Sequence, residues 1–287
     1  MKLPQFLALL LAFRLASACL LATESPGVII ATYNVENFIG EEAVAAETGG
    51  RRSKPKSEKS IDAVVQVIKD INPDILGLCE MGEPERFEEF KKRLEAAGLH
   101  YTDFEYVQAL DSERHLALIS RFPIVARQSL TNVSFEIAGR PEKVRRGFLD
   151  VTIQVANGYQ VRFVSAHLKS KLPIPEGEAL VRRNEALLLR KHLDGILTAD
   201  PNARLVCFGD FNDLKNEPAY HEITGPRGLT YMAALPAKDE FGDTWTEYWK
   251  AADLYSRIDY IFVSPVLHRD VAPASPRVYR SAYWNEV

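Results

Sequence analysis

The sequence predicts an α/β protein whose sheets are not purely parallel. Short apolar runs of strand length alternate with longer segments whose apolar residues recur at helical spacing. Asn157-Gly158 separates two such runs, the signature of a tight antiparallel hairpin, which argues against an all-parallel sheet. Several strand runs end at a carboxylate, amide or imidazole, so a rigid sheet would offer polar groups at its edge.

With 287 residues the chain suffices for one large domain or two ordinary ones, and 46% hydrophobic with 26% charged residues is a globular composition. The net charge of -4 and pI of about 5.9 argue against holding nucleic acid by bulk positive charge and leave a local basic groove as the alternative. No apolar run after the first two dozen residues has membrane-spanning length.

Residues 1–18 read as a signal peptide: Lys2 gives a positive start, Phe6 to Phe13 an apolar centre, and Ala16-Ser17-Ala18 a cleavage site. This predicts an exported protein, periplasmic or extracellular, with 19–27 as linker and 28–287 as the folded domain. Leu15 to Cys19 loosely resembles a bacterial lipobox, so a lipid anchor on Cys19 stands as an alternative to a soluble product. Cys79 and Cys207 each close an apolar run and read as buried free thiols rather than a bridge.

Val28 to Thr32 forms the first strand run and leads into Tyr33-Asn34-Val35-Glu36-Asn37. Residues 40–57 read as an exposed loop with Arg51, Arg52, Lys54 and Lys56. Ser57 or Ser60 caps a helix to about Asn72, with Ile61, Val64, Val65, Ile68 and Ile71 on its buried face and Pro73 as the stop. Ile75 to Cys79 is a strand that runs into Glu80, and a carboxylate there is costly to desolvate unless paired or metal-bound. Glu83-Pro84 opens a helix carrying Phe87, Phe90, Leu94 and Ala97 and ending at Gly98. Leu116 to Ser120 is a further strand, broken at Pro123.

The hairpin arms are 148–155 and 161–166; the second ends in His167, followed by Lys169 and Lys171. Glu176 to Thr198 is helical, with Ala186, Leu189, Leu193 and Ile196 inward. Leu205 to Phe208 then reaches Gly209, Asp210, Asn212 and Asp213. Aromatic residues Phe241, Trp245, Tyr248, Trp249 and Tyr255 either stack on bases or sugars or pack the rim of a sheet. Arg257 to Val263 is the last strand, with Asp259 near its start. Carboxylate and amide oxygens at strand exits suit a hard cation such as Mg²⁺ better than zinc, and also suit holding a water for attack.

Taken in order, YNVEN at 33–37, ILGLCE at 75–80, LALISRFP at 116–123, SAHLKS at 165–170, GDFND at 209–213 and RIDYIFVS at 257–264 resemble the endonuclease/exonuclease/phosphatase superfamily, which includes deoxyribonuclease I, abasic-site endonucleases, inositol-phosphate phosphatases and bacterial sphingomyelinases. The resemblance implies a four-layered α/β sandwich, with two mainly antiparallel sheets face to face and helices outside. It also implies a Mg²⁺-dependent hydrolase, with Mn²⁺ or Ca²⁺ as alternatives, acting on nucleic acid, a phospholipid head group or a small phosphate ester, and a monomer. By motif position, Glu80 would be the principal metal ligand, Asn34 would help it, and Glu36 would be an outer or second-metal carboxylate. His167 would contact the scissile phosphate, Asp210 would orient or deprotonate the attacking water, and Asn212 would bind a phosphate oxygen. Asp259 would orient the family's acid–base histidine, and Lys169 would assist in substrate binding.

The family closes with Ser-Asp-His, whereas this sequence stops at Tyr283-Trp284-Asn285-Glu286-Val287, and none of His100, His115, His167, His192, His221 and His268 has that context. The expectation is that the last strand is truncated. The alternative is a non-catalytic module that keeps the phosphate-ester pocket with an incomplete active site.

Overall fold

A computed structural model describes residues 27–40, 55–155 and 158–280. The expected signal peptide, Cys19, Arg51, Arg52, Asn157 and the residues 281–287 lie outside the described residues.

The chain begins with β1 (Ile30–Phe38), α1 (Glu58–Ile71), β2 (Ile75–Met81), α2 (Pro84–Ala96), β3 (Asp103–Val107), β4 (His115–Ser120) and β5 (Ile124–Arg127). A small hairpin of β6 (Ser134–Ile137) and β7 (Arg140–Lys143) precedes β8 (Leu149–Val155) and β9 (Tyr159–His167). Then come α3 (Glu178–Ala199), β10 (Leu205–Asp210), α4 (Pro218–Thr224), β11 (Ala233–Ala234), β12 (Glu247–Trp249), β13 (Leu254–Ser256), β14 (Asp259–Val263) and α5 (Pro265–His268).

Local chemistry sets the helix ends. The Ser57 hydroxyl accepts the Ser60 N–H to start α1, and Asn72 in the left-handed conformation closes it before Pro73. Pro84 in the first turn of α2 occupies a position where no helical N–H bond is lost.

One sheet has the order β1-β2-β4-β3 and the other β11-β14-β10-β9-β8-β5. Two neighbouring pairs, β1 with β2 and β9 with β10, are parallel; the other pairings in these sheets are antiparallel. The β8–β9 hairpin pairs Val155 with Tyr159.

Three apolar clusters glue the layers. Cys79, Leu116 and Leu118 of the first sheet meet Val151, Phe163, Val206 and Phe208 of the second between the sheets. Helices α1 and α2 cover the first sheet through Val64, Ile68, Phe87 and Phe90. Helices α3 and α4 cover the second through Leu189, Leu193, Ala219 and Ile223. The result is helix, sheet, sheet, helix, the four-layered α/β sandwich expected from the motifs.

The spacing of the sheets depends on Gly77 of β2, where an added Cβ would lie 2.4 Å from the Phe208 ring. Cys79 packs between the sheets and Cys207 under α3, and both are buried free thiols.

Candidate active site

Parallel pairing brings strand exits to a common edge, because both strands of a pair point the same way. One pair delivers Asn34 and Glu80, and the other delivers His167 and Asp210, which are direct register partners. Strand β14, antiparallel to β10, sets Asp259 opposite Asp210. Asn34, Glu80, His167, Asp210, Asn212 and Asp259, far apart in sequence, therefore meet at the mouth between the two sheets.

The main chain is bent to aim these groups. Register breaks between Asn34 and Phe38 in β1 and between Leu78 and Met81 in β2. Glu36, Asn37, Glu80 and Asn212 have φ of 47°, 48°, 61° and 52°, unusual for residues with a side chain. Gly209 has φ of 135°, and a Cβ there would lie 2.1 Å from the Ala166 carbonyl oxygen, so only glycine lets β10 reach Asp210 in this way.

Asn34 Nδ2 donates to Glu80 Oε1 at 3.2 Å and to Asp210 Oδ2 at 2.9 Å, joining the two sheets. The Asn37 N–H donates to Glu80 Oε2 at 2.9 Å, and the Asn212 N–H donates to Asp210 Oδ1 at 2.9 Å. His167 Nε2 lies 3.8 Å from Glu80 Oε1 and 3.7 Å from Asp210 Oδ2. Asn212 Nδ2 donates to the Leu168 carbonyl at 3.0 Å.

Electrostatics follow from crowding. Burial pushes the Asp210 carboxyl well above the usual range, and the charges of Asp259 and Glu80 push it further against the Asn34 hydrogen bond. Asp259 is raised to about 7 by burial, with the Glu247 and Glu80 carboxylates adding to it and Thr246 opposing. Burial holds His167 well below its ordinary value, and Arg146, Arg114 and Lys169 lower it further, so the imidazole is neutral.

The site thus concentrates hard oxygen donors, with the carboxyls of Glu80, Asp210 and Asp259 close enough to act on one another. Among the described residues no three His, Cys, Asp or Glu side chains close into a metal cage. Mg²⁺ does not require one, since it keeps waters and takes one or two carboxylates plus substrate phosphate. The donor set therefore fits such an ion.

Further details of the geometry bear on the expected roles. The Asn34 oxygen accepts the Glu36 N–H at 2.9 Å, so its amide nitrogen, not its oxygen, faces the carboxylates. The Glu36 side chain is 70% exposed and lies 4.0 Å from the Lys56 ammonium. Lys169 turns its ammonium back onto the Ser170 and Leu172 carbonyls at 2.9 Å, because its own loop supplies the acceptors. Three basic residues of this side are ion-paired: Arg182 is buried against Asp213, Lys171 pairs with Glu217, and Arg183 pairs with Glu222.

Other neighbours carry no strand-end signature. Arg114 Nε donates to Asn37 Oδ1 at 2.8 Å and lies 3.8 Å from Glu80 Oε2. Arg146 bonds Asp111 and the Leu168 carbonyl. The Thr246 hydroxyl accepts the Ile258 and Asp259 N–H groups at 3.1 Å each, which roots the β12–β13 hairpin beside Asp259. In that hairpin Tyr248 stacks on Tyr255 at 4.5 Å, while Trp249 is 51% exposed.

The family model described as "Endonuclease/Exonuclease/phosphatase family" matches residues 31–281. A curated relative, "Probable CCR4-Not complex 3'-5'-exoribonuclease subunit Ccr4" of Encephalitozoon cuniculi, is 27% identical over 191 residues, which are 59% of this chain and 38% of that protein. The chain thus spans well under half the length of that relative. Among solved structures, a β-hairpin deletion mutant of Staphylococcus aureus beta toxin superposes with a TM-score of 0.61 at 14% identity, covering 90% of this chain and 94% of that one. Sphingomyelinase C of Streptomyces griseocarneus gives 0.61 at 16% identity with 90% of each chain covered. The human Nocturnin catalytic domain gives 0.57 at 17% identity with 83% of each chain covered. At such identities these likenesses establish the fold.

Proposed function

The chain belongs to the endonuclease/exonuclease/phosphatase family, whose members are generally phosphodiester hydrolases, and from that premise we propose that it hydrolyses a phosphodiester or phosphomonoester by metal-assisted in-line attack of water. The observation that carries the proposal is the convergence of Glu80, Asn34, Asp210 and His167 from four strands of two sheets, with Asn34 bridging the carboxylates.

Glu80 would hold the divalent ion, with Asn34 fixing the orientation of the carboxylate and Glu36 at the outer edge. When bound, that ion supplies charge neutralisation at the phosphate and the leaving oxygen. Asp210, held by the Asn34 amide and the Asn212 N–H, positions the attacking water and takes its proton. The neutral His167 imidazole donates to a phosphate oxygen as negative charge develops there, and Asn212 offers a further amide. Asp259, the register partner of Asp210, would orient an acid–base group at the site. Of the substrates expected, nucleic acid has the weakest electrostatic support, given the net charge of -4 and the ion-paired basic residues. Export rests on the amino-terminal sequence.

The test is hydrolysis of bis-p-nitrophenyl phosphate, p-nitrophenyl phosphate and plasmid DNA with Mg²⁺ and with chelator. Chelator-sensitive turnover of any one supports the proposal. Full-length protein that binds Mg²⁺ but turns over none of a broad ester panel would instead be a phosphate-ester-binding module.

A further inference from the structure

Behind the site, helix α3 grips the segment that follows His167. The Glu185 side chain is 2% exposed, and its Oε2 accepts the Lys169 N–H at 2.6 Å. The Arg145 backbone also favours the charged form of this carboxyl. One turn earlier, Arg182 Nη1 donates to the Lys169 carbonyl at 3.1 Å and to the Ser170 carbonyl at 3.4 Å. The Lys169 residue is therefore held at both its N–H and its C=O by side chains of a single helix.

What this grip controls is visible in the next bonds. Leu168, between His167 and Lys169, donates its N–H to the Asp210 carbonyl at 3.0 Å. Its own carbonyl accepts from Asn212 Nδ2 at 3.0 Å and from Arg146 Nη1 at 3.3 Å. Meanwhile His167 Nδ1 is buried with no hydrogen-bond partner among the described residues, and Nε2 stands beyond hydrogen-bond reach of Glu80 and Asp210. The direction of the imidazole is thus set by its main chain, not by a bond of its own.

We propose that Glu185 is a positioning residue of the phosphoester site: by holding the Lys169 N–H it fixes the His167 ring relative to Asp210 and Asn212. The inference rests on the phosphoesterase reading of that site. A buried carboxyl is a costly way to fill a helix face that an apolar side chain would fill at less expense, and burial raises this one to about 7 despite the Lys169 N–H and Arg146. Its retention is accounted for by the loop it holds.

The experiment compares Glu185→Gln and Glu185→Asp with the parent in the full chain. Gln keeps the shape but replaces the charged acceptor of the Lys169 N–H with a neutral amide oxygen, a weaker bond. Asp keeps the charge but falls one methylene short. Ring ¹⁵N–¹H correlation spectra report His167 directly, with His167→Ala giving the assignment. Turnover of bis-p-nitrophenyl phosphate with Mg²⁺ is measured in the single variants and in Glu185→Gln combined with His167→Ala.

We expect the His167 ring signals to shift or broaden in Glu185→Gln, kcat to fall about tenfold or more with KM within about twofold, and that loss to vanish when His167 is already absent. Unchanged ring signals, or a loss that adds fully to that of His167→Ala, would overturn the inference. If Glu185→Gln does not fold, Glu185→Asp is read by the same criteria. If the parent turns over no ester, the phosphoesterase reading fails, and the ring spectra alone decide whether Glu185 positions His167.

Discussion

Replacing Arg182 by Met tests how the site loops are held to α3. The Arg182 Nε–Asp213 Oδ1 pair is 2.5 Å long, with side chains 5% and 3% exposed. Burial raises the Asp213 carboxyl even with Arg182 and the Ala219 N–H opposing, so the ionised form is less favoured here than in the unfolded chain. The pair therefore does not stabilise the fold relative to an apolar filling, yet removing only the arginine strands a buried carboxylate. Such half-removals cost about 3–5 kcal/mol. Arg182→Met also takes donors from the Lys169 and Ser170 carbonyls, so the upper half of that range applies. In a protein of this size the melting temperature should drop by about 10 °C. Urea unfolding at pH 7, followed by circular dichroism with chelator present, gives the free energy. Adding Asp213→Asn removes the stranded charge while leaving an oxygen for the Ala219 N–H, now bonded at 2.8 Å. The double variant should regain about 2 kcal/mol. A loss below about 1 kcal/mol in the single variant, or a double variant no more stable than the single, would refute the reasoning.

Glu80→Ala should weaken Mg²⁺ binding at least about tenfold by calorimetry, whereas Asp210→Asn keeps the affinity and loses about 10²–10⁴-fold in turnover; equal affinity in Glu80→Ala and the parent removes Glu80 as the ligand. Asp150, bonded to Arg162 at 2.6 and 2.8 Å and to His192 at 2.7 Å, is held below the usual range by those partners although burial opposes them. Its contribution is present in full above the unfolded carboxyl value of about 3.9 and disappears as pH falls through the lower folded value. The stability gap between parent and Asp150→Asn should therefore be about 2 kcal/mol or more at pH 7 and close on acidification; a gap of constant size down to pH of about 2 contradicts the linkage. Gly77→Ala, which drives a methyl to 2.4 Å from the Phe208 ring, should destabilise by about 1–3 kcal/mol, and Phe208→Leu should recover part of it. Denaturation midpoints that match the parent would show that the sheets are not spaced by this contact.

Strands that end in a chemical side chain were readable because burial and polarity change within one residue. Ile75–Met81 and Leu205–Asp210 are continuous apolar runs that announce a central strand, and Glu80 and Asp210 sit at their ends. The helices α1, α2 and α3 start and stop within two residues of their expected limits, since caps and prolines act locally. What was missed is what tertiary pairing creates. Asp103–Val107 and Ile124–Arg127 are short edge strands with polar or half-buried positions, and they exist because β4 and β8 offer partners. Lys169 looked like a substrate contact from its place after His167, but the loop carbonyls that capture its ammonium lie in conformations no spacing reveals. Arg114 and Glu185 reach the site through folding of remote segments, and neither stands after an apolar run. Asn34 was legible as a site residue, whereas its bridging by nitrogen depends on which neighbour claims its oxygen.

The four left-handed residues around the pocket have a thermodynamic corollary. Glu36, Asn37, Glu80 and Asn212 each hold a conformation that disfavours a side chain by about 1 kcal/mol, and all four cluster at one opening. Selection for thermal robustness alone would therefore find easy gains by placing glycine there. At Glu80 and Asn212 that gain would delete a functional group, and at Asn37 it would loosen the amide that seats the Glu80 carboxylate. Durability and chemistry pull this protein in opposite directions at the same few positions.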